Sequence, residues 1–350
     1  MQKIRQRLDY LDIAKCITIF LVIMGHSTGN LDTPLFRVVL YSFHMPLFFI
    51  VSGTVVRTHV TTKYDKAHWK DFLGKNLFML MVPYLIWGLI YSQFSYKNTA
   101  YILYGSWQLL GKAGTLTSLW YLPCLFLARI EMEAVLMLGK KLEKLNRHLY
   151  ALIIAAAAFA IGFALPKVEI GYIWCADISF VALGFMLLGY SIKEIIGEFI
   201  DSKLIYQAAV LLISGGLFVM SMVIQDGSPA LVMMCKSDYG SIPLFLLSGL
   251  SGSTFILSLS ILLQEAWGQN TESKLRKNII WVGKRTLGVY LLHKPFLQEV
   301  LVPLLKLAGL QNLFVIAIIG AVIDLPLCCL MIKVLEKYVP ALLGKRQKVS

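Results

Sequence analysis

Residues 12–27 read DIAKCITIFLVIMGHS. Between Lys15 and His26 only Thr18 interrupts an apolar run. An ionisable side chain deep in a bilayer costs about 2.5 kcal/mol or more, so such a residue faces protein or a water-filled cavity and is a functional candidate by default. Eleven residues are close to three helical turns, which puts Lys15 and His26 on one helix face about 16 Å apart along the axis. The structural alternative is that Lys15 snorkels to the headgroups while His26 hydrogen-bonds a neighbouring helix.

Working outward, the whole chain has the character of this stretch. Of its 350 residues 57% are hydrophobic and only 15% charged, with a mean hydropathy of +0.70, whereas a soluble domain carries about 25% charged residues. The composition indicates an all-α, polytopic integral membrane protein. Apolar runs recur near 12–29, 35–56, 77–95, 118–138, 149–165, 172–190, 204–224, 241–263, 279–299 and 313–335. Each is close to the roughly 20 residues a spanning helix needs, so the expectation is ten transmembrane helices in one domain over residues 1–350. The first run lacks a small-residue cleavage site and is expected to be retained as a span.

The basic residues set the expected orientation. Lys3, Arg5 and Arg7, then Arg57 to Lys75, then Lys140, Lys141, Lys144 and Arg147, then Lys274, Arg276 and Lys277, and finally Lys337 to Lys348 fall in alternate connections. Those segments are expected on the cytoplasmic side, with both termini inside. The opposite connections hold only Lys97, Lys112, Lys167, Lys236 and Lys306. The net charge of +13 is thereby explained by topology, without a nucleic-acid partner. Cys16, Cys124, Cys175, Cys235, Cys328 and Cys329 form no C-x-x-C pair; packing is their expected role, with no metal site. No internal repeat of the kind common in transporters is visible.

The second apolar run contains YSFHMPLFFIVSG at 41–53. Pro46 leaves the Ser42 carbonyl without its helical donor and is expected to disturb the helix around His44. The connection to the first run is short, so the two helices are antiparallel neighbours, and His26 and His44 can share one pocket.

Taken together, LDIAKCITIFLVIMGH at 11–26 and SFHMPLFFIVSG at 42–53 resemble the membrane-bound acyltransferase family three, in particular its fucose 4-O-acetylase-like branch. MVPYLIWGLI at 81–90, LWYLPCLFLARI at 119–130 and TLGVYLLHKPF at 286–296 extend the resemblance. It implies transfer of an acetyl group from acetyl-CoA, a co-substrate rather than a bound cofactor, to a hydroxyl of a cell-surface saccharide or its lipid-linked precursor. It also implies a multi-pass protein of a cell membrane, the cytoplasmic membrane of a bacterium. Lys15 and His26 meet the family's pattern of a basic residue and a histidine separated by ten residues. Two arginines often found before the third-helix proline are replaced here by Asn76 and Met79, with Lys75 the nearest cation. CoA phosphates require cations or helix N-termini, which makes Lys15, Lys75, Arg57, Lys284 and Arg285 the donor-binding candidates.

The chemistry fits His26. A hydroxyl is a poor nucleophile near neutral pH, and an imidazole can accept its proton as the new bond forms or take the acyl group itself; both routes remain open. His44 and Lys15 are the other catalytic candidates, His44 through orientation of His26, acceptor contact or oxyanion stabilisation. Asp12, three residues before Lys15, is expected to pair with it. Arg129 and Glu133 are expected to pair along one helix. Asp177 and Asp324 lack an obvious local partner. His293, followed by Lys294 and Pro295, is an acceptor-binding candidate with Asp177 and Trp120, although Trp107, Trp120 and Trp174 equally suit an interfacial aromatic belt. Two other classes compete: a transporter of a glycan intermediate or small solute, proton-coupled through His26, His44 and Asp177, and a non-catalytic scaffold.

Overall fold

A computed structural model describes residues 9–27, 34–56, 66–113, 117–140, 146–224, 231–268 and 273–347. Arg57 lies outside them. The chain is helical, and no strand occurs among the described residues. In order, the helices are α1 (Asp9–His26), α2 (Leu35–Thr54), α3 (Lys66–Asn76), a π-helical turn (Leu77–Met81), α4 (Val82–Tyr91), α5 (Tyr96–Tyr104), α6 (Trp107–Lys112), α7 (Tyr121–Lys140) and α8 (Arg147–Ala164). Then follow α9 (Ala176–Ile200), α10 (Leu204–Val223), α11 (Ile242–Trp267), α12 (Lys274–Gly283), α13 (Thr286–Phe296), a second π turn (Leu297–Leu301), α14 (Val302–Leu307) and α15 (Leu313–Tyr338).

Every expected apolar run is helical. Seven segments are long and apolar enough to cross a membrane: 35–54, 66–91, 147–164, 173–200, 204–223, 242–267 and 313–338. The other three runs depart from a simple span for visible reasons. Helix α1 carries Asp9, Asp12 and Lys15 within 18 residues, α7 carries Arg129, Glu131, Glu133 and Lys140, and the run over 279–299 is broken between α12 and α13 and again by the π turn. These are the segments with buried polar chemistry. Pro46 does not break α2, which runs continuously from Leu35 to Thr54. The hydroxyl of Ser42 donates to the Val39 carbonyl at 2.8 Å, and His44 bonds the Leu40 carbonyl at 2.7 Å.

The chain divides into two compact units. One comprises residues 1–48, 193–232 and 239–332, the other 49–192, 233–238 and 333–350. In the first unit α12 crosses α1 at backbone contact: a Cβ on Gly283 would lie 1.9 Å from the Asp12 carbonyl oxygen, so no larger residue fits. Arg276, itself buried, then reaches the partly buried Asp9 at 3.0 Å, while Gln264 of α11 accepts from the backbone N–H of Tyr10 at 2.7 Å. Helix α11 is largely apolar, with a run of buried serines and glycines along it. Ser251 and Ser260 donate to the carbonyls of Leu247 and Ile256, four residues back. Small residues of this kind let membrane helices approach closely, since lipid supplies no hydrophobic drive for association.

In the second unit α2 and α9 meet in the same way. A Cβ on Gly53 would lie 1.9 Å from the Met186 carbonyl oxygen and one on Gly189 2.1 Å from that of Ile50. Asn146 caps α8 by accepting from the N–H groups of His148 and Leu149. The tryptophans are packing residues rather than a bare belt: Trp120 is buried, Trp174 donates to the Leu103 carbonyl at 2.8 Å, and the Trp107 ring carries the Lys236 ammonium at 4.5 Å.

Candidate active site

His26 is the last residue of α1, where the helix leaves its terminal carbonyls without partners. Its own carbonyl is taken by the amide of Gln298, which donates at 2.8 Å from the second π turn. The π turn follows Pro295 and changes the helical repeat, so that Gln298 reaches the end of α1 that His293, five residues earlier, also approaches. The ring centres of His26 and His293 are 5.3 Å apart.

Tyr41 of α2 closes the cluster. Its hydroxyl is 3.4 Å from Nδ1 of His26, its ring lies edge-on to His26 and to His44 at 6.0 and 5.0 Å, and the Arg37 guanidinium sits over its face at 5.0 Å. Two imidazoles, His26 and His44, thus adjoin one phenol, and the third, His293, adjoins His26. Two of them have fixed tautomers. Nδ1 of His44 is 2.7 Å from the Leu40 carbonyl, and Nδ1 of His293 is 3.2 and 3.0 Å from the carbonyls of Val289 and Tyr290. A carbonyl only accepts, so Nδ1 carries the proton in both and Nε2 keeps its lone pair. His26 itself is only half-buried, the others fully.

The second unit contains a cavity of about 380 Å³, within the size range of small-ligand sites. Its polar lining is His68, Asp71, Lys75, Asn76, Arg129 and Glu133, with Met79, Met132 and Met186 among the apolar residues. Glu133 pairs with His68 at 2.8 Å and Lys75 with Asp71 at 2.6 Å, both exposed. Among the described residues Arg129 has no direct hydrogen-bond partner, and the Glu133 carboxylate of the same lining acts on it only through space. Asn76 donates to the Phe72 carbonyl at 2.7 Å, leaving its buried Oδ1 unpartnered. The π turn that follows brings Met79 to the lining as well.

A family model for an acyltransferase domain matches residues 8–333, both units included. The chain belongs to acyltransferase family 3. No curated protein and no solved structure matches it. In this membrane acyltransferase the expected histidine pair becomes a larger cluster: His26 and His44 are linked through Tyr41, and His293 joins them.

The remaining candidates are distributed. Lys15 pairs with Asp12 at 2.6 Å, as their spacing predicts, and Lys284 shares that carboxylate at 3.8 Å. Arg129 does not pair directly with Glu133, because His68 occupies the carboxylate. Asp177 accepts from the Ser237 hydroxyl, and Asp324 accepts from the Cys328 thiol at 3.7 Å. His293 belongs to the first unit, Trp120 and Asp177 to the second. Sequence reasoning missed Tyr41, Gln298 and the cavity roles of His68 and Arg129. Tyr41 was legible as a polar residue three before His44, on the same face; the others depend on contacts between distant segments.

Proposed function

We propose that this acyltransferase moves an acetyl group from acetyl-CoA to a hydroxyl of a cell-surface saccharide or its lipid-linked precursor. The observation that carries the reading is His26, the half-buried member of a cluster of imidazoles and one phenol, in a chain of an acyltransferase family. His26 takes the proton of the acceptor hydroxyl as its oxygen bonds the thioester carbonyl. The carbon–sulfur bond then breaks and the proton passes to the leaving thiolate, a base role worth about 10²- to 10⁴-fold. Tyr41 and His44 orient the base; Asp177 and Trp120 of the second unit are acceptor-contact candidates.

The donor's phosphates are assigned to the basic residues. Arg129 and Lys75 in the second unit's cavity supply cations, the Asn76 Oδ1 offers an acceptor for an amide N–H of the donor, and Arg57 and Lys15 are further donor contacts. The concentration of lysines and arginines in alternate connections supports a cytoplasmic donor side, both termini inside and residence in a bacterial cytoplasmic membrane.

The test is acyl transfer by the purified, detergent-solubilised protein from radiolabelled acetyl-CoA to a pool of surface glycans, beside a folded His26→Ala variant. Label reaching the glycan with the unaltered protein alone supports the reading. Neither transfer nor acetyl-CoA binding sinks it and favours solute transport.

A further inference from the structure

His293 is completely buried. Its Nδ1 proton is committed to the Val289 and Tyr290 carbonyls, and its Nε2 has no hydrogen-bond partner among the described residues. A buried nitrogen lone pair left without a donor costs free energy comparable to a lost hydrogen bond, and such exceptions in a folded protein call for a reason. The nearest ring to this nitrogen's imidazole on the facing helix is His26. In an imidazole each nitrogen lies about 1.1 Å from the ring centre, so an N–H···N bond of about 3 Å places two ring centres roughly 5.2 Å apart. The observed separation is 5.3 Å, with the planes tilted by 42°.

We propose that His293 is a positioning residue for His26: its Nε2 accepts the N–H of His26 that points away from the acceptor and holds the imidazolium formed during transfer. This rests on the acyl-transfer reading. Neutral His26 has one N–H. When it takes the acceptor's proton it has two, one to be returned to the leaving sulfur and one donated to His293, which neither gains nor loses a proton. Gln298, tied to the carbonyl of His26, fixes the approach of the two helices on which the pair depends.

The competing groups around His26 argue for a neutral acceptor here. From α2 it faces His44, Arg37 and Tyr41, and from α13 it faces Lys294 beside His293. Helix α11, packed along α1, offers only Glu265, which is bonded to Gln207, while α12 carries Lys274, Arg276, Lys277 and α15 carries Asp324, bonded to Cys328. The Nε2 lone pair of His293, which has no partner among the described residues and belongs to a ring 5.3 Å from that of His26, accepts from it without adding a charge to the cluster.

Histidine-labelled protein gives a direct test by ¹⁵N NMR, with His26→Gln used for assignment. In the unaltered protein His293 should show a protonated Nδ1 and a bare Nε2; the opposite tautomer overturns the proposal. His293→Asn keeps a donor near the Nδ1 position and removes the Nε2 acceptor. It should lower the proton affinity of His26 about tenfold, move the acid limb of kcat/KM to lower pH and reduce kcat/KM at least tenfold. His293→Gln, which restores an acceptor near Nε2, should recover part of each. An unmoved His26 titration in the folded Asn variant reduces His293 to packing, and a move to higher pH makes it a charged neighbour; either overturns the proposal. Absence of transfer in the unaltered protein removes the proposed function alone, since the titration and tautomer still decide the coupling.

Discussion

Glu133 stands 2.8 Å from Nε2 of His68, a residue sixty-five positions earlier, and not in direct contact with Arg129 on its own helix. The pairing across the cavity takes one oxygen of that carboxylate, which acts on Arg129 through space rather than by a direct bond. An arginine lining a cavity without a direct counter-ion favours an anionic occupant, and its planar fork suits phosphate oxygens.

Arg129→Ala is therefore expected to raise the KM for the acyl donor about tenfold with little change in kcat, the pattern of lost uniform binding. A hydrogen bond to a charged group contributes about 1.5–3 kcal/mol, which sets that scale. Arg129→Lys should recover a minority of the loss. Steady-state kinetics with donor varied at saturating acceptor, beside equilibrium donor binding, check this; an unchanged KM in the Ala variant removes Arg129 from the donor site.

Met79 lines the same cavity at one of the positions where the resemblance places an arginine. Met79→Arg adds a third cation beside Lys75 and Arg129 and is expected to tighten donor binding by several fold, about 1 kcal/mol. The gain should shrink as salt is raised, because part of it is screened. Direct donor binding at two ionic strengths distinguishes this from a conformational effect, which salt would leave untouched.

Loss of the base should separate activity from folding. His26→Ala is expected to lower the transfer rate by 10²–10⁴ while the melting temperature in detergent stays within a few degrees, because His26 is half-buried at a helix end. A large drop in melting temperature would return His26 to a structural role.

The Asp9–Arg276 pair gives a stability test. Asp9→Ala leaves a buried guanidinium without its partner and is expected to cost about 3–5 kcal/mol. Asp9→Ala combined with Arg276→Met removes both charges and should cost less than the single change. Denaturant or thermal unfolding of the three proteins shows this as a double-mutant coupling; simple additivity would mean that the pair is solvent-screened.

The sequence by itself determined the helical membrane class and the positions of the ten apolar helical runs, because hydrophobic length is a local property that a bilayer reads directly. It also determined the Asp12–Lys15 pair, which a single helical turn brings together. Tertiary structure alone decided which polar residues keep company. His293 reaches His26 from 267 residues away, Gln298 holds the His26 carbonyl, and His68 displaces Arg129 from direct contact with Glu133. Such partners are chosen by helix crossings at Gly283 and Gly53, where the absent side chain admits a backbone oxygen, and by the π turns at 77–81 and 297–301, which shift side chains off the regular helical face. Neither effect has a period in the sequence, so the candidate residues were legible one at a time while the site they form was not.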